Sequence, residues 1–450
     1  MSSSTETRTP AAIPDAAELV ARIKELQPML RKNAAQGEQD RRVVQDSIEA
    51  LTDAGMFKIA VPRRYGGYET SMRTMLDVSA AVAEADGGTA WVVTLTNVCA
   101  WFVGLFPQQA QDDVFGANPE AKVSGVLAPT GTSRKVDGGW RVTGRWYYNS
   151  GSLHADWAGV GIPVTNEAGE VVDQGLVLIP TNEMTLEDTW FVAGMRASGS
   201  NCLIAEDVFV PEHRMLSVPA AIGGSYPSEL TEQESLYRSA FVPILALVLI
   251  GPQLGMGRAA LDIVTSKAAK KPISYTFYEA QVDSVGFQLQ IAEAALMIDT
   301  ATLHAYRAAE DIDQAAARGE YPDFLTRARI RADTGLVADK ITRAIDILLS
   351  AHGAGSFADQ SAAADLARLR GRRPTRGRLS DDQLRGLRQS AAGTRGPHHP
   401  SRLARRPARK VANPIRAPVD EFRGCAGAVS FPRLARVPRI WGMPHVCCSS

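Results

Sequence analysis

Cysteine is scarce in this 450-residue chain: five occur, and only Cys99 and Cys202 lie within the first 360 residues. Their spacing suggests neither a disulfide framework nor a zinc site, which argues against cysteine-based redox or metal chemistry. Long hydrophobic runs are missing too. The longest, residues 240–250, falls far short of the ~20 residues that span a bilayer and reads as a buried helix. The opening segment, MSSSTETRTPAAIPDAAELV, has no basic stretch followed by an apolar one, so it does not read as a secretory leader. The expected location is the cytoplasm. No Walker or dinucleotide-binding glycine loop is found, and GPQLGMG (251–257) is most simply a helix-packing segment. No internal repeat is found.

What is present reads as globular: 45% of residues are hydrophobic and 7% aromatic. The length suggests roughly three domains. Net charge is zero but unevenly placed. Residues 361–450 hold 19 Lys and Arg against 5 Asp and Glu, leaving 30 against 44 in the first 360. An acidic body therefore carries a basic tail.

The pattern along the body changes twice. From Asp15 to about Gln111 alanine-rich, charge-dotted stretches carry a helical period, and Gly55 is placed as a helix stop. Around Lys122 the period becomes alternating, in KVSGVLAP, RKVDGGWRVTGRWYYNSG, WAGVGIPVTNEAGEVV and NCLIAEDVFVP, with Asp137-Gly138-Gly139 as a hairpin turn. After a linker near 217–232 helices return. Leu289, Ala292, Leu296 and Leu303 form one apolar stripe, and Val337, Ile341, Ala344 and Leu348 a second, as expected of helices that bury a stripe against each other in a bundle. The expected fold is α+β and multidomain: a helical domain over 1–120, a β-barrel or sandwich over 121–216, a helix bundle over 226–360, and a disordered basic tail over 361–450.

Five strings occur in a telling order: AVPRRYGGYE (60–69), DGGTAW (86–91), VDGGWRVTGRWYYNSG (136–151), GMRASGSNCLIAEDVFVPEHR (194–214) and AHGAGSF (351–357). Together, over about residues 15–360, they resemble the flavin-dependent monooxygenases built on the acyl-CoA dehydrogenase fold, the oxygenase halves of two-component aromatic hydroxylases. The resemblance implies a C-terminal four-helix bundle and a homotetramer. It places the flavin between the β-domain and the bundle, with a neighbouring subunit closing the site. It also implies a separate reductase that delivers reduced FMN or FAD, molecular oxygen as co-substrate, and a flavin hydroperoxide that passes one oxygen to a small aromatic ring. Neither a membrane nor a nucleic-acid partner is implied. Such chemistry needs a dry pocket with few, well-placed hydrogen-bonding groups.

The resemblance also assigns residues. Ser150 matches the family serine that hydrogen-bonds the flavin near its reactive edge, although Asn-Ser-Gly is also ordinary turn chemistry. Trp146 and Tyr148 alternate on the same strand and either wall the flavin ring or pack the β core. Arg196, in a loop of small residues, lies beside flavin and substrate or serves as a paired loop arginine. Tyr275, Gln281 and Gln288 match the segment that reaches a flavin phosphate or a neighbouring subunit. Gly353 and Gly355 match a backbone bend lining the partner's flavin, and are also suited to capping a helix. His154 is read as a hydrogen-bonded structural histidine rather than a base.

The chain departs from the family after Gln360. There the family pattern calls for a string like PLQRIWRD and, seven residues on, a histidine that acts on substrate or oxygen intermediate; here the composition collapses into Arg, Ala, Gly and Pro. Residues 361–369, SAAADLARL, can be encoded so that reading one nucleotide later gives PLQRIWRD. The same offset permits a histidine at the family spacing, and then a stop within the codon for Leu403. The expectation is a frame change near 359–361, which would leave this chain short of one catalytic group. Two other functions stay open on the sequence alone: an acyl-CoA dehydrogenase with tightly bound FAD, and a non-enzymatic scaffold whose basic arm binds nucleic acid.

Overall fold

The computed structural model describes residues 13–353. The basic tail, Gly355 and the expected frame change at 359–361 lie outside the described residues.

Five helices open the chain: α1 (Ala16–Asp40), α2 (Gln45–Asp53), α3 (Met72–Ala83), α4 (Gly87–Gly104) and α5 (Gln108–Phe115). Three of them start on side-chain caps, Asp15 on Glu18 N, Ser71 on Thr74 N and Asp86 on Thr89 N, each satisfying an amide that the first turn leaves unpaired. The α4 helix is apolar nearly all round, so it must run through the core. Trp101 on it is buried against Phe102 and Phe241, and its indole donates to the Leu236 carbonyl at 3.1 Å.

Eight strands follow: β1 (Val123–Val126), β2 (Thr132–Val136), β3 (Gly139–Asn149), β4 (Trp157–Thr165), β5 (Val171–Pro180), β6 (Thr185–Glu187), β7 (Asn201–Pro211) and β8 (Met215–Ser217). They form two four-stranded sheets, β1-β4-β5-β8 and β2-β3-β7-β6. Asp137-Gly138 makes the two-residue turn that sets Val136 opposite Gly139. Trp140, Val142, Trp146, Val160, Ile162, Val177, Ile179 and Leu203 fill the space between the sheets.

The stretch after β8 is not a loose linker. It contains α6 (Val218–Ile222) and α7 (Leu230–Gln233) and is pinned by Tyr237, whose buried hydroxyl donates to the Ala60 carbonyl at 2.9 Å. The apolar run at 240–250 then forms α8 (Phe241–Leu247) and its continuation. The stretch Phe241–Ala268 is long and apolar enough to cross a membrane, yet it is mostly buried in the protein core.

Three long helices complete the described chain: α9 (Gly251–Ala268), α10 (Val285–Ala317) and α11 (Phe324–His352). The α3 and α9 helices approach so closely that a Cβ at Gly255 would stand 2.0 Å from the Ala80 carbonyl oxygen and one at Gly251 2.8 Å from Ser79, which explains two of the glycines of GPQLGMG. Asp313 on α10 accepts from the Met72 and Arg73 amides at 2.7 and 3.0 Å, tying the bundle to the start of α3; its burial pushes the carboxyl up to about 6.

The two predicted stripes fare differently. Val337, Ile341, Ala344 and Leu348 are buried on α11 as expected. The α10 stripe is a correction: Leu289, Leu296 and Leu303 are 66%, 67% and 66% exposed, and Ala292 is exposed beside them. Within this chain α10 buries its other face, built from Ala294, Ile298, Ala301, Ala305 and Ala308. Alanines there let α11 approach closely, leaving the leucine row outside.

Candidate active site

Strand β3 ends in a distortion. The β3–β7 register shifts between Trp146 and Asn149, and Tyr148 takes a left-handed conformation at φ 65°. This breaks the alternation that the sequence suggested. Trp146 is fully buried between the sheets and its indole donates to the Gly161 carbonyl at 2.8 Å, so it belongs to the β core and not to a pocket wall. Tyr148 is thrown outward, 74% exposed, with its ring edge on Trp190 at 6.1 Å between centroids.

Ser150, two residues on, is buried and joins a row of hydrogen bonds drawn from three segments. The indole of Trp91, on the first turns of α4, donates to its Oγ at 3.0 Å. Its Oγ lies 2.7 Å from Ser200 Oγ, which lies 2.7 Å from Ser198 Oγ, and Ser198 donates to the Met195 carbonyl at 2.8 Å. The backbone closes the same junction, because the Gly151 amide donates to the Ser198 carbonyl at 2.9 Å. Beside Ser150, the amide of Asn149 is completely buried and neither its oxygen nor its nitrogen has a partner among the described residues.

The loop that brings Ser198 and Ser200 to Ser150 is fixed by the end of α1. Arg196 donates through Nε to the Glu38 carbonyl at 2.8 Å and so satisfies a carbonyl in the last turn of that helix. Arg41 grips Asp188 with both guanidinium nitrogens, at 2.5 and 2.6 Å, and lies 4.0 Å over the Phe191 ring; the pairing holds the Asp188 carboxyl below its usual range. Small residues permit the contact: a Cβ at Gly88 would stand 2.9 Å from the Ala197 methyl. That is the physical reason for Gly88 in DGGTAW and for a residue as small as Ala197 in GMRASGS.

His154 lies four residues beyond Ser150 in a short 3-10 turn, bordering a cleft of about 270 Å3 that Lys122, Glu120 and Asp156 also line. Burial first, then the nearby Arg42 and Lys122 charges, lower it to about 4; its ring bonds the Val43 backbone and its Nε2 is buried without a partner among the described residues. It is a neutral structural histidine, at the junction of the β-domain and α2 rather than inside the barrel.

The bundle residues form a second group. Gln281 is buried and donates through Nε2 to the Ala351 carbonyl at 3.0 Å, capping the end of α11 together with Lys271, which donates to the His352 carbonyl. Its amide nitrogen is therefore engaged by a helix end and not held out toward a phosphate. Gly353 closes that helix with φ 80°. Gln288 donates to the Val282 carbonyl at 2.7 Å, while Tyr275 is fully exposed on the α9–α10 loop with φ 62°, near Phe277, also exposed. The structure thus brings Ser150 and the Arg196 loop together, and separately Gln281 and Gly353. Sequence reasoning missed Trp91, Ser198 and Ser200 as partners of Ser150, and the orphaned amide of Asn149. Their signal was the motif strings that contain them.

The acyl-CoA dehydrogenase N-terminal domain family matches residues 16–115, and the acyl-CoA dehydrogenase C-terminal domain family matches residues 247–368. The oxygenase subunit HsaA of a flavin-dependent monooxygenase from Mycobacterium tuberculosis is 33% identical over 347 residues, covering 77% of this chain and 88% of that one. A pigment production hydroxylase from Rhodococcus sp. is 29% identical, covering 76% and 87%. The solved structure of XiaF from Streptomyces sp., in complex with FADH2 and glycerol, superposes with a TM-score of 0.78 at 34% identity and covers 86% of this chain and 97% of that one. With identity and coverage at this level over all three segments, the chain belongs to the oxygenase subunits of flavin-dependent monooxygenases on the acyl-CoA dehydrogenase fold, and it is an oxidoreductase.

Proposed function

We propose that this protein hydroxylates an aromatic or fused heteroaromatic ring, using reduced FMN or FAD delivered by a separate reductase. The carrying observation is the buried row Trp91–Ser150–Ser200–Ser198, which presents one short neutral hydroxyl beside exposed aromatic surface. The residues fit a planar, heteroatom-bearing ring. Small side chains line the Gly88–Ala197 contact, Tyr148 and Phe191 offer exposed apolar faces, and the orphaned Asn149 amide leaves hydrogen-bonding capacity next to Ser150.

Reduced flavin, when bound, supplies the electrons that activate molecular oxygen. One oxygen atom enters the ring and the other leaves as water. The protein's own residues position and shield. Ser150 holds the polar edge of the cofactor, the Arg196 loop and α4 exclude water behind it, and His154, neutral and engaged with Val43, stays out of proton transfer. A cytoplasmic setting suits such a reductase partnership. An indole-like, pigment-forming substrate fits the reading, in keeping with the name of the Rhodococcus relative.

We also infer a homotetramer, because the row Leu289, Ala292, Leu296 and Leu303 on α10 is too regular and too apolar for a solvent face. Together with Tyr275 and Phe277 it gives a partner subunit a surface on which to complete the flavin site. The frame-change reading stands beside this, supported by the composition after Gln360. Resequencing codons 355–365 tests it, and an intact frame without an insertion or deletion would overturn it.

The test of function supplies reductase-generated flavin, oxygen and a panel of phenols and indoles. The expected result is a product heavier by one oxygen. No oxygenated product, together with bleaching of a bound flavin by an acyl-CoA, would instead identify a dehydrogenase.

A further inference from the structure

The segment AVPRRYGGYE takes no part in the candidate site, yet it ends on one of two buried carboxylates. Its chain turns through a short 3-10 helix, Arg63–Tyr65, and folds back so that the Glu69 amide donates to the Val61 carbonyl at 3.3 Å. The Glu69 side chain, 3% exposed, meets the Arg63 guanidinium at 2.7 Å through Oε2. Its Oε1 accepts from the Leu236 amide at 2.8 Å and from Ser235 Oγ at 3.3 Å, just past α7. Glu69 is therefore a well-paired carboxylate. Glu234, one residue before Ser235, is 7% exposed and far less well provided for. Its Oε1 accepts from the Arg63 amide at 3.2 Å, and its Oε2 is buried with no partner among the described residues. Ionised, it would bury an unsatisfied charged oxygen close to a second carboxylate, whereas a neutral carboxyl there costs less. The other charged and titratable groups do not make up the deficit. Arg64 donates to Gln111 at 2.5 Å and Asp112 accepts from Tyr65, both on α5. Arg238 is committed to the Ala316 and Thr231 carbonyls, Tyr237 to the Ala60 carbonyl, and Asp313 on α10 to the Met72 and Arg73 amides. Glu229 and Glu232 are exposed.

We infer that Glu69 and Glu234 carry one negative charge between them and form a proton-operated latch, which holds the segment leading from α7 into the bundle against the N-terminal helical domain while Glu234 is protonated. When that proton leaves to solvent, the second charge loosens the contact. The device stands apart from the flavin reading. Burial first, then the Glu69 charge, push the Glu234 carboxyl up to about 7, against the opposing pull of the Arg63 amide and of the Arg63 and Arg64 charges. The closed form thus holds a proton that the open form, with an ordinary value of 4.5, releases. Closing is strongest below that ordinary value and is lost as pH rises through about 7. The latch sits where loosening spreads. The Leu236 carbonyl accepts the Trp101 indole at 3.1 Å, and the Tyr237 ring lies so close under Gly104 that a Cβ there would stand 2.0 Å from it, so the end of α4 rests on the same residues.

The test is hydrogen exchange at the Leu236 and Arg63 amides of the full chain, corrected for the intrinsic rate at each pH, with the amides of the β3–β7 ladder as reference. In wild type the protection of Leu236 and Arg63 relative to the ladder should fall about tenfold between about pH 6 and 8. Glu234→Gln is neutral throughout and should hold its protection within about twofold over that range. A flat wild-type profile overturns the inference. So does a loss that the ladder shares in full, which marks global unfolding, or a Glu234→Gln profile that keeps the wild-type slope. A second reading needs no variant: the infrared band of a protonated carboxyl in wild type should fade with a midpoint near 7, distinct from that of Asp313 near 6. Absence of a carboxyl titrating near 7 overturns the inference even if the glutamine variant fails to fold.

Discussion

The β-domain half and the bundle half of the candidate site are finished to different degrees within one chain. Around Ser150 the hydroxyls are buried and paired in a closed row, and the loop that carries Ser198 and Ser200 is fixed to the end of α1 by Arg196 and Arg41. Along the bundle, by contrast, Leu289, Leu296, Leu303, Tyr275 and Phe277 face outward. The hydroxyls of this row are satisfied inside the fold, because an unpaired buried hydroxyl is costly, and only the Asn149 amide beside them is left without a partner among the described residues. Apolar surface can wait for a partner, because water tolerates it until another subunit covers it.

The largest expected effect comes from breaking the finished half at its base. Trp146→Ala empties the space between the two sheets and leaves the Gly161 carbonyl unpaired, and should cost about 3–5 kcal/mol in a urea unfolding curve. The waiting half is next. Leu289→Asp with Leu296→Asp puts charge into the proposed interface and should weaken assembly by about 100-fold or more in sedimentation, leaving the circular dichroism spectrum intact. His154 sharpens the contrast through pH. Its folded value near 4 lies below the ordinary 6.5, so the unfolded chain binds a proton that the folded chain refuses, and stability falls as pH drops from about 6.5 toward 4. Relative to its own value at pH 7, His154→Gln should lose about 2 kcal/mol less than wild type at pH 5. The smallest effect is at Ser150 itself. Ser150→Ala should lower the product formed per reduced flavin consumed by about tenfold, measured as hydroxylated product against hydrogen peroxide released.

Much of the fold was legible in the sequence because periodicity changes where the structure changes: the helices end at Phe115, the strands begin at Val123, and long helices return after residue 240. The Val337–Leu348 stripe was legible for the same reason. The α10 stripe was misplaced because a heptad-like leucine row marks a face that packs without saying on what, and the alanines opposite turned out to pack within the chain. Trp146 and Tyr148 were read as neighbours on one face because alternation assumes an unbroken strand, and the register shift before Asn149 breaks it. The partners of Ser150 were hidden by distance along the chain. Trp91 lies 59 residues away and Ser200 lies 50 away, so only the motif strings DGGTAW and GMRASGS hinted that those segments meet.

The most direct measurement is the binding of reduced flavin to the intact assembly and to the Leu289→Asp, Leu296→Asp variant, with sedimentation and circular dichroism on the same samples. The account predicts that wild type is a tetramer binding one reduced flavin per subunit, and that the dissociated variant, still folded, loses most of that binding. A folded, dissociated variant that keeps wild-type affinity for reduced flavin would contradict it.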